Sequence, residues 1–205
     1  MARHWPVVLT HGDVTLRPLR VADHRRWQEL RIENHSWLSE WEATAPLPST
    51  DPPPTFRQSA RRMIRDAKRG TYLPFVVEFG GEFVGQINVA DVVYGSLRGC
   101  HVGYWISQRV AGRGIMTTAL ALVTDHLLGT LQLHRVEVAI RPENVPSNKL
   151  VQRLGFTFEG TRPEFLHINN AWRDHHVYVM RSSQLDGRLV DRVGAPLAPR
   201  PGASA

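Results

Sequence analysis

The sequence predicts a single domain of mixed α/β (α+β) class, with a central mixed, mostly antiparallel sheet flanked by helices. Two β-rich runs, 73–79 and 82–91, are joined by Gly80-Gly81, the signature of a hairpin. Over 100–141 the pattern strand, loop, helix, strand implies one parallel element with a crossover. The chain has 205 residues, 42% hydrophobic and 21% charged, enough for one substantial core.

Residues 14–20 alternate Val-Thr-Leu-Arg-Pro-Leu-Arg and read as a strand, with Pro18 pointing to a sheet edge. Asp23 stands where it could cap a helix reaching Asn34, marked by Trp27, Leu30 and Ile32. Residues 36–41 suit a short second helix. Five prolines fall within 45–54, a loop rather than a linker because patterning resumes at once. Thr55 reads as the cap of a helix carrying Phe56, Ala60, Met63, Ile64 and Ala67 on one face and stopped by Gly70. After the hairpin, a turn at 95–99 leads into a strand over 100–106. Residues 114–128 have the length and aliphatic content of a buried helix. Residues 135–141 alternate around Val136, Val138 and Ile140 as a strand, and a short helix follows near 147–154. Strands at 156–160 and 175–181 complete the sheet. The domain is expected to span 1–185, with 186–205 a flexible, proline-containing tail. No internal repeat is present.

Composition excludes several function classes. No apolar run approaches the ~18–20 residues of a membrane span, and residues 1–13 lack the apolar stretch of a secretory signal. Cys100 is the sole cysteine, so intrachain disulfides and cysteine-based zinc sites are ruled out, and the compartment reads as cytoplasmic. Cys100 itself suits a packed small residue better than a nucleophile. No HExxH or comparable ligand spacing occurs, and the adjacent His175 and His176 would point to opposite faces of a strand; no metal is expected. The net charge is +6, and all but Lys68 and Lys149 of the 25 basic residues are arginine. Codon bias explains that arginine excess, and so does attraction to a polyanion such as RNA, a ribosome or a phosphate-rich ligand. The arginines are scattered rather than gathered, so charge alone does not make a nucleic-acid-binding module.

The most informative stretch runs from Tyr104 to Gly114, reading Tyr-Trp-Ile-Ser-Gln-Arg-Val-Ala-Gly-Arg-Gly. Gly112 and Gly114 lie between a strand and a helix, where missing Cβ atoms let backbone N–H groups approach a ligand. The helix that follows leaves its first N–H groups unpaired, with its positive dipole end toward the loop. That combination suits a phosphate or diphosphate; two glycines equally ease a tight turn. A Walker loop is excluded, because no lysine follows, and so is the dinucleotide fingerprint, because Thr117 occupies its third glycine position.

Arg109, Gly112 and Gly114 in R-x-x-G-x-G after a Gly-Tyr-Trp-Ile strand resemble the acetyl-CoA motif of the GNAT N-acetyltransferase superfamily. The later runs Arg135 to Glu137, Asn144-Val145-Pro146-Ser147-Asn148 and Leu154-Gly155-Phe156 resemble the same family. With Ile168-Asn169-Asn170-Ala171-Trp172-Arg173-Asp174-His175, they look like the RimJ/RimL branch, which acetylates N-terminal residues of ribosomal proteins. The resemblance covers roughly 10–182 and implies a GNAT-like fold and direct transfer of acetyl from acetyl-CoA to a primary amine. It implies that the backbone of Trp105, Ile106 and Ser107 pairs with the pantetheine arm. It also implies that the loop with Arg109, Val110, Ala111, Gly112, Arg113, Gly114, Ile115 and Met116 cradles the diphosphate. An N–H near Trp105 or Ile106 would steady the developing oxyanion. Asn144, Ser147 and Asn148 would complete the cofactor contacts.

The resemblance also suggests the catalytic groups. An α-amino group has a reference pKa near 7.7–8.0, so a modest base or a carboxylate acting through water suffices. Glu164 is the first candidate and Glu137 the second; either could instead be a solvated surface carboxylate. Many relatives carry a tyrosine acid where this chain has Val151, which leaves the Ser147 hydroxyl as the local donor to the departing thiolate. Asn144 or Ser147 could also simply cap the following helix. Trp37, Trp41 and Trp172 could line the acceptor cleft or belong to the core.

The leading reading is acetylation of an N-terminal alanine or serine of a ribosomal or other protein, with the positive charge helping the enzyme dock on a ribosome. A dimer is the assembly entertained. The alternatives are acetylation of a small amine, such as an aminoglycoside or polyamine, and a non-catalytic acyl-CoA-binding module. The small-amine reading requires acids in the acceptor cleft, for which Glu33, Glu40, Glu42 and Asp51 are available.

Overall fold

The structure, a computed structural model, describes residues 5–47 and 53–194. Its strands are β1 (Leu9–His11), β2 (Val14–Pro18), β3 (Leu73–Phe79), β4 (Glu82–Val93), β5 (Gly99–Ile106), β6 (Arg135–Ile140), β7 (Thr157–Ile168) and β8 (Ala171–Arg181). Its helices are α1 (His24–Glu33), α2 (His35–Leu38), α3 (Phe56–Arg69), α4 (Ile115–Asp125) and α5 (Val145–Arg153). The strands form one sheet in the order β1-β2-β3-β4-β5-β6-β8-β7. Every neighbouring pair is antiparallel except β5 and β6, which are parallel. The expected mixed, mostly antiparallel sheet with flanking helices is therefore the observed architecture.

Local chemistry explains most element boundaries. The Thr55 hydroxyl accepts the Gln58 N–H at 3.3 Å while the Gln58 side chain accepts the Thr55 N–H at 2.8 Å, a reciprocal cap for α3. Gly70, at φ 76°, ends that helix in the left-handed region. Helix α4 is buried on all sides, every residue from Ile115 to Thr124 being buried, and packs against the sheet on the face of Leu16, Phe75, Ile87 and Val102. Burying each such Leu or Ile is worth about 1.5–3 kcal/mol. The opposite face is covered by α1 and α3 through a smaller cluster of Leu19, Leu30, Ala60, Val76 and Phe83.

Several expectations are corrected. Pro18 is not on the outermost strand: the short β1, absent from the sequence reading, pairs with 14–16, and Pro18 keeps one neighbour, Phe75. Three residues are too few to show alternation. Asp23 makes no side-chain cap to α1; its carboxylate takes Arg17 at 2.8 and 2.9 Å and the Arg20 N–H at 2.7 Å. The last two strands reach beyond 156–160 and 175–181 to form one long hairpin, turned by Asn169 and Asn170 at φ 47° and 60°. Within the expected tail, the turn Leu189–Arg192 is ordered, with Leu189 and Val190 buried in the main core; residues 195–205 lie outside the described residues.

Candidate active site

The parallel pair is where the sheet opens. β5 and β6 are in register from Gly99 and Arg135 to His101 and Glu137; beyond that point β5 runs on to Ile106 and β6 to Ile140 without pairing. Because the two strands are parallel, the helices that follow them, α4 and α5, both begin at the open end. An extended chain entering there meets backbone groups of β5 with no strand opposite.

At one end lies the glycine loop. Gly112 and Gly114 adopt φ 75° and 81°, and a Cβ on Gly112 would meet nothing within 4 Å. The Gly114 carbonyl accepts the Thr118 N–H at 3.0 Å. The N–H groups of Ile115, Met116 and Thr117 therefore lack helical partners. A cavity of about 330 Å³ adjoins this loop, lined in part by Gly112, Gly114, Thr117 and Arg113. Unpaired N–H groups, an open glycine face and arginines around a cavity fit a diphosphate.

The remaining predicted loop residues divide by role. Val110, Ile115 and Met116 bury their side chains in the core and offer only backbone, and Ala111 is half-buried. Arg109 turns away to Glu82 at 3.3 Å, and Arg113 stacks on Phe79 at 4.7 Å. Ser107 is buried and its donors are engaged: the N–H goes to Val84 O at 2.8 Å and the hydroxyl to Asn34 Oδ1 at 3.2 Å. Asn34 Oδ1 also accepts the Gln108 N–H at 2.7 Å. Asn34, which sequence reasoning missed, thus ties the end of α1 to the loop. Trp37 donates its indole N–H to the Ile106 carbonyl at 3.1 Å, and Gly85 lets β4 press against Trp105, whose carbonyl would lie 2.4 Å from a Cβ there.

At the other end stands α5. Asn144 caps this helix, accepting the Ser147 N–H at 3.2 Å, while Asn148 is buried and donates to the carbonyls of Arg141 (3.0 Å) and Asn144 (2.8 Å). Asn144 therefore takes the cap, and Ser147 keeps its hydroxyl. Val151 is fully buried, in keeping with the absence of a tyrosine acid there. A different tyrosine approaches: Tyr104 of β5 has its phenol buried, which pushes its pKa up to about 12, and the Ser147 hydroxyl beside it offsets part of that rise. The pair does not reach full hydrogen-bond geometry, so the Tyr104 hydroxyl is a buried donor without an ideal partner. Its place in the Gly-Tyr-Trp-Ile strand was visible in the sequence; its contact with α5 was not.

The two candidate carboxylates differ sharply. Glu137 is buried on β6, with Arg162 at 2.7 Å, Arg135 at 2.8 Å and His101 at 3.2 Å. Burial alone would raise its pKa, but Arg135 and the charges of His101 and Arg162 hold it below the ordinary carboxylate value. Glu164 is exposed on the β7–β8 hairpin, inside an irregularity between Arg162 and Leu166, at φ 45°. A non-glycine residue there is strained, and its N–H is held by Asp174 at 2.9 Å.

The wall on the α1–α2 side is aromatic and basic. Arg31 lies 5.6 and 5.5 Å from the Trp27 and Trp105 rings and pairs with Glu42; Arg141 covers Trp41 at 5.1 Å and pairs with Glu143 at 3.2 Å. Glu33 is engaged by Arg26 at 3.4 Å, and Asp51 lies outside the described residues. Trp172 is exposed on the hairpin, against His167. His175 and His176 do point apart, to Phe165 and to Phe158. Burial lowers the pKa of His175.

The family model for the acetyltransferase (GNAT) domain matches residues 13–157. The chain is 32% identical over 152 residues to the ribosomal protein uS5-alanine N-acetyltransferase of Escherichia coli (strain K12), covering 73% of this chain and 70% of that protein. It is 28% identical over 167 residues to the spermidine N(1)-acetyltransferase of the same strain, covering 78% of this chain and 82% of that protein. Among solved structures, Mycobacterium smegmatis RimJ in complex with CoA-disulfide superposes with a TM-score of 0.84 at 34% identity, covering 92% of this chain and 93% of that one. Enzymes of this kind use acetyl-CoA as the cosubstrate. Among the described residues, no helix is long and apolar enough to cross a membrane. With its opened parallel pair, its glycine loop and these matches, the chain is an acyltransferase and belongs to the GNAT acetyltransferase family.

Proposed function

We propose that this chain transfers acetyl from acetyl-CoA to the α-amino group of a protein N-terminus, an alanine or serine of a ribosomal protein being the substrate class that its relatives' names carry. The observation that carries the reading is the opening between β5 and β6, with the glycine loop at one end and Ser147 at the other. Bound acetyl-CoA supplies the acetyl group as an activated thioester. The N–H groups at the start of α4 hold the diphosphate, and the backbone at Trp105 and Ile106 aligns the arm. Ser147 donates a proton to the departing sulfur, with the buried Tyr104 phenol beside it. Glu164, acting through water, takes the proton of the amine; Glu137, committed to two arginines and a histidine, is the poorer base.

The acceptor wall favours a protein terminus over a polyamine. Of the candidate acids among the described residues, Glu33 and Glu42 are paired with Arg26 and Arg31, which leaves Glu40 alone without an ion pair to attract a polycation. On this reading the reaction takes place in the cytoplasm. The test follows free thiol release with acetyl-CoA and four acceptors: an Ala- or Ser-starting peptide, an N-blocked lysine peptide, an aminoglycoside and spermidine. Turnover confined to the first supports the proposal. Turnover on either small amine replaces it with the small-amine reading, and acetyl-CoA binding without turnover replaces it with a non-catalytic acyl-CoA-binding module.

A further inference from the structure

The turn Leu189–Arg192 lies beyond the residues matched by the family model. It is nonetheless fastened to α4. The Asp125 carboxylate accepts the N–H groups of Leu189 at 2.7 Å and Val190 at 3.0 Å, and both side chains are buried. Arg192 also donates to the Asp186 carbonyl. The turn thereby carries Arg192 to the rim of the cavity beside the glycine loop, where Arg153 from the end of α5 also arrives. Leu154 and Val193 give the same cavity an apolar wall suited to a base or ribose.

Charge is unbalanced here. Several arginines elsewhere in the fold are matched by acids: Arg17 by Asp23, Arg31 by Glu42, Arg135 and Arg162 by Glu137, and Arg181 by Glu159. Among the described residues no carboxylate lines this cavity, and Arg153 and Arg192 have no ion pair. The backbone of the loop already accounts for a diphosphate. Two further guanidinium groups beside it call for a second phosphate, because arginine binds a phosphomonoester dianion through paired, charge-assisted hydrogen bonds.

We propose that Arg192 and Arg153 bind the 3′-phosphate of acetyl-CoA, so that the C-terminal turn selects the 3′-phosphorylated cofactor over its dephosphorylated form. The inference rests on the acetyl-CoA reading above and assigns a role to a segment outside the matched family region. Asp125 is the positioning residue that holds the turn.

The full chain is titrated calorimetrically with CoA and with 3′-dephospho-CoA at one fixed ionic strength. Wild type is expected to bind CoA about tenfold or more tightly, the range that charge-assisted hydrogen bonds supply. Arg192→Gln and Arg153→Gln should each erase most of that preference by weakening CoA alone, leaving 3′-dephospho-CoA affinity unchanged. Arg188→Gln, on the same segment but paired with Asp191 at 3.9 Å, should alter neither. Equal affinity of wild type for the two ligands overturns the inference while leaving the acetyl-CoA reading intact. So do equal losses for both ligands in Arg192→Gln, or no loss at all. Binding of neither ligand to wild type overturns both.

Discussion

Two regions frame the opened strands, and they are built in opposite ways. The β5–α4 loop acts through main chain over one continuous stretch: Gly112 and Gly114 at positive φ, then the first N–H groups of α4. The β7–β8 hairpin contributes through side chains and is held in place by residues remote in sequence. Thr44 bonds His167 at 2.8 Å, Asn169 donates to the Glu42 carbonyl at 3.0 Å, and Ala43 bridges Ile168. On the proposed reading the first region grips a constant chemical group, which a fixed backbone shape does well. On the same reading the second faces the acceptor, where side-chain identity can vary while the sheet stays the same.

The contrast can be broken by mutation, and the largest effect is expected on the main-chain side. Gly112→Glu places a carboxylate where the diphosphate sits and a side chain at φ 75°, so CoA binding measured by calorimetry should fall by at least about 100-fold. The fold should persist, because a Cβ at Gly112 meets nothing within 4 Å. Ser147→Ala should lower kcat about 100-fold, within the usual contribution of a proton donor, with the KM for acetyl-CoA unchanged. Unchanged turnover would remove Ser147 as the acid. Glu164→Gln should cut kcat about tenfold with the KM for acetyl-CoA unchanged; an unchanged kcat returns the base assignment to other groups.

Glu137→Gln should instead act on stability, lowering it by about 1–2 kcal/mol after allowing for the partial exposure of Arg135 and Arg162. The sign of its pH dependence follows from the depressed pKa. The stabilisation is complete above the unfolded value near 4.5 and disappears as pH falls through the lower folded value. Acid melts should therefore show this loss in wild type and not in the glutamine variant. Tyr104→Phe is the subtlest test. Removing a buried hydroxyl without an ideal partner should leave Tm unchanged or raise stability by up to about 1 kcal/mol, while kcat falls a few-fold from the lost contact beside Ser147.

Much of the architecture could be read from the chain because its signals are local. Thr55 with Gln58, Gly70, the Gly80-Gly81 turn and the aliphatic run from Ala119 to Val123 in α4 each declare themselves within a few residues. The misses have physical reasons too. β1 is too short to alternate, and β7, a sheet edge, has no buried face and two register irregularities that interrupt its period. The Asn169-Asn170 pair, at positive φ, is the local signal of the hairpin turn that joins β7 and β8. Leu189 and Val190 looked like tail because a two-residue apolar patch has no period; Asp125 supplies the anchor from the far end of α4.

From the sequence alone came the sheet class, the boundaries of α3 marked by Thr55 and Gly70, and the glycine loop between β5 and α4. Each depends on backbone preferences that neighbouring residues set. The tertiary structure alone decided that Glu137 is locked among cations, that Asn144 rather than Ser147 caps α5, that Tyr104 lies beside Ser147, and that Arg192 returns to the glycine loop. Those facts depend on charges, hydroxyls and guanidinium groups from distant parts of the chain meeting across a few ångströms, and only the closed fold brings them together.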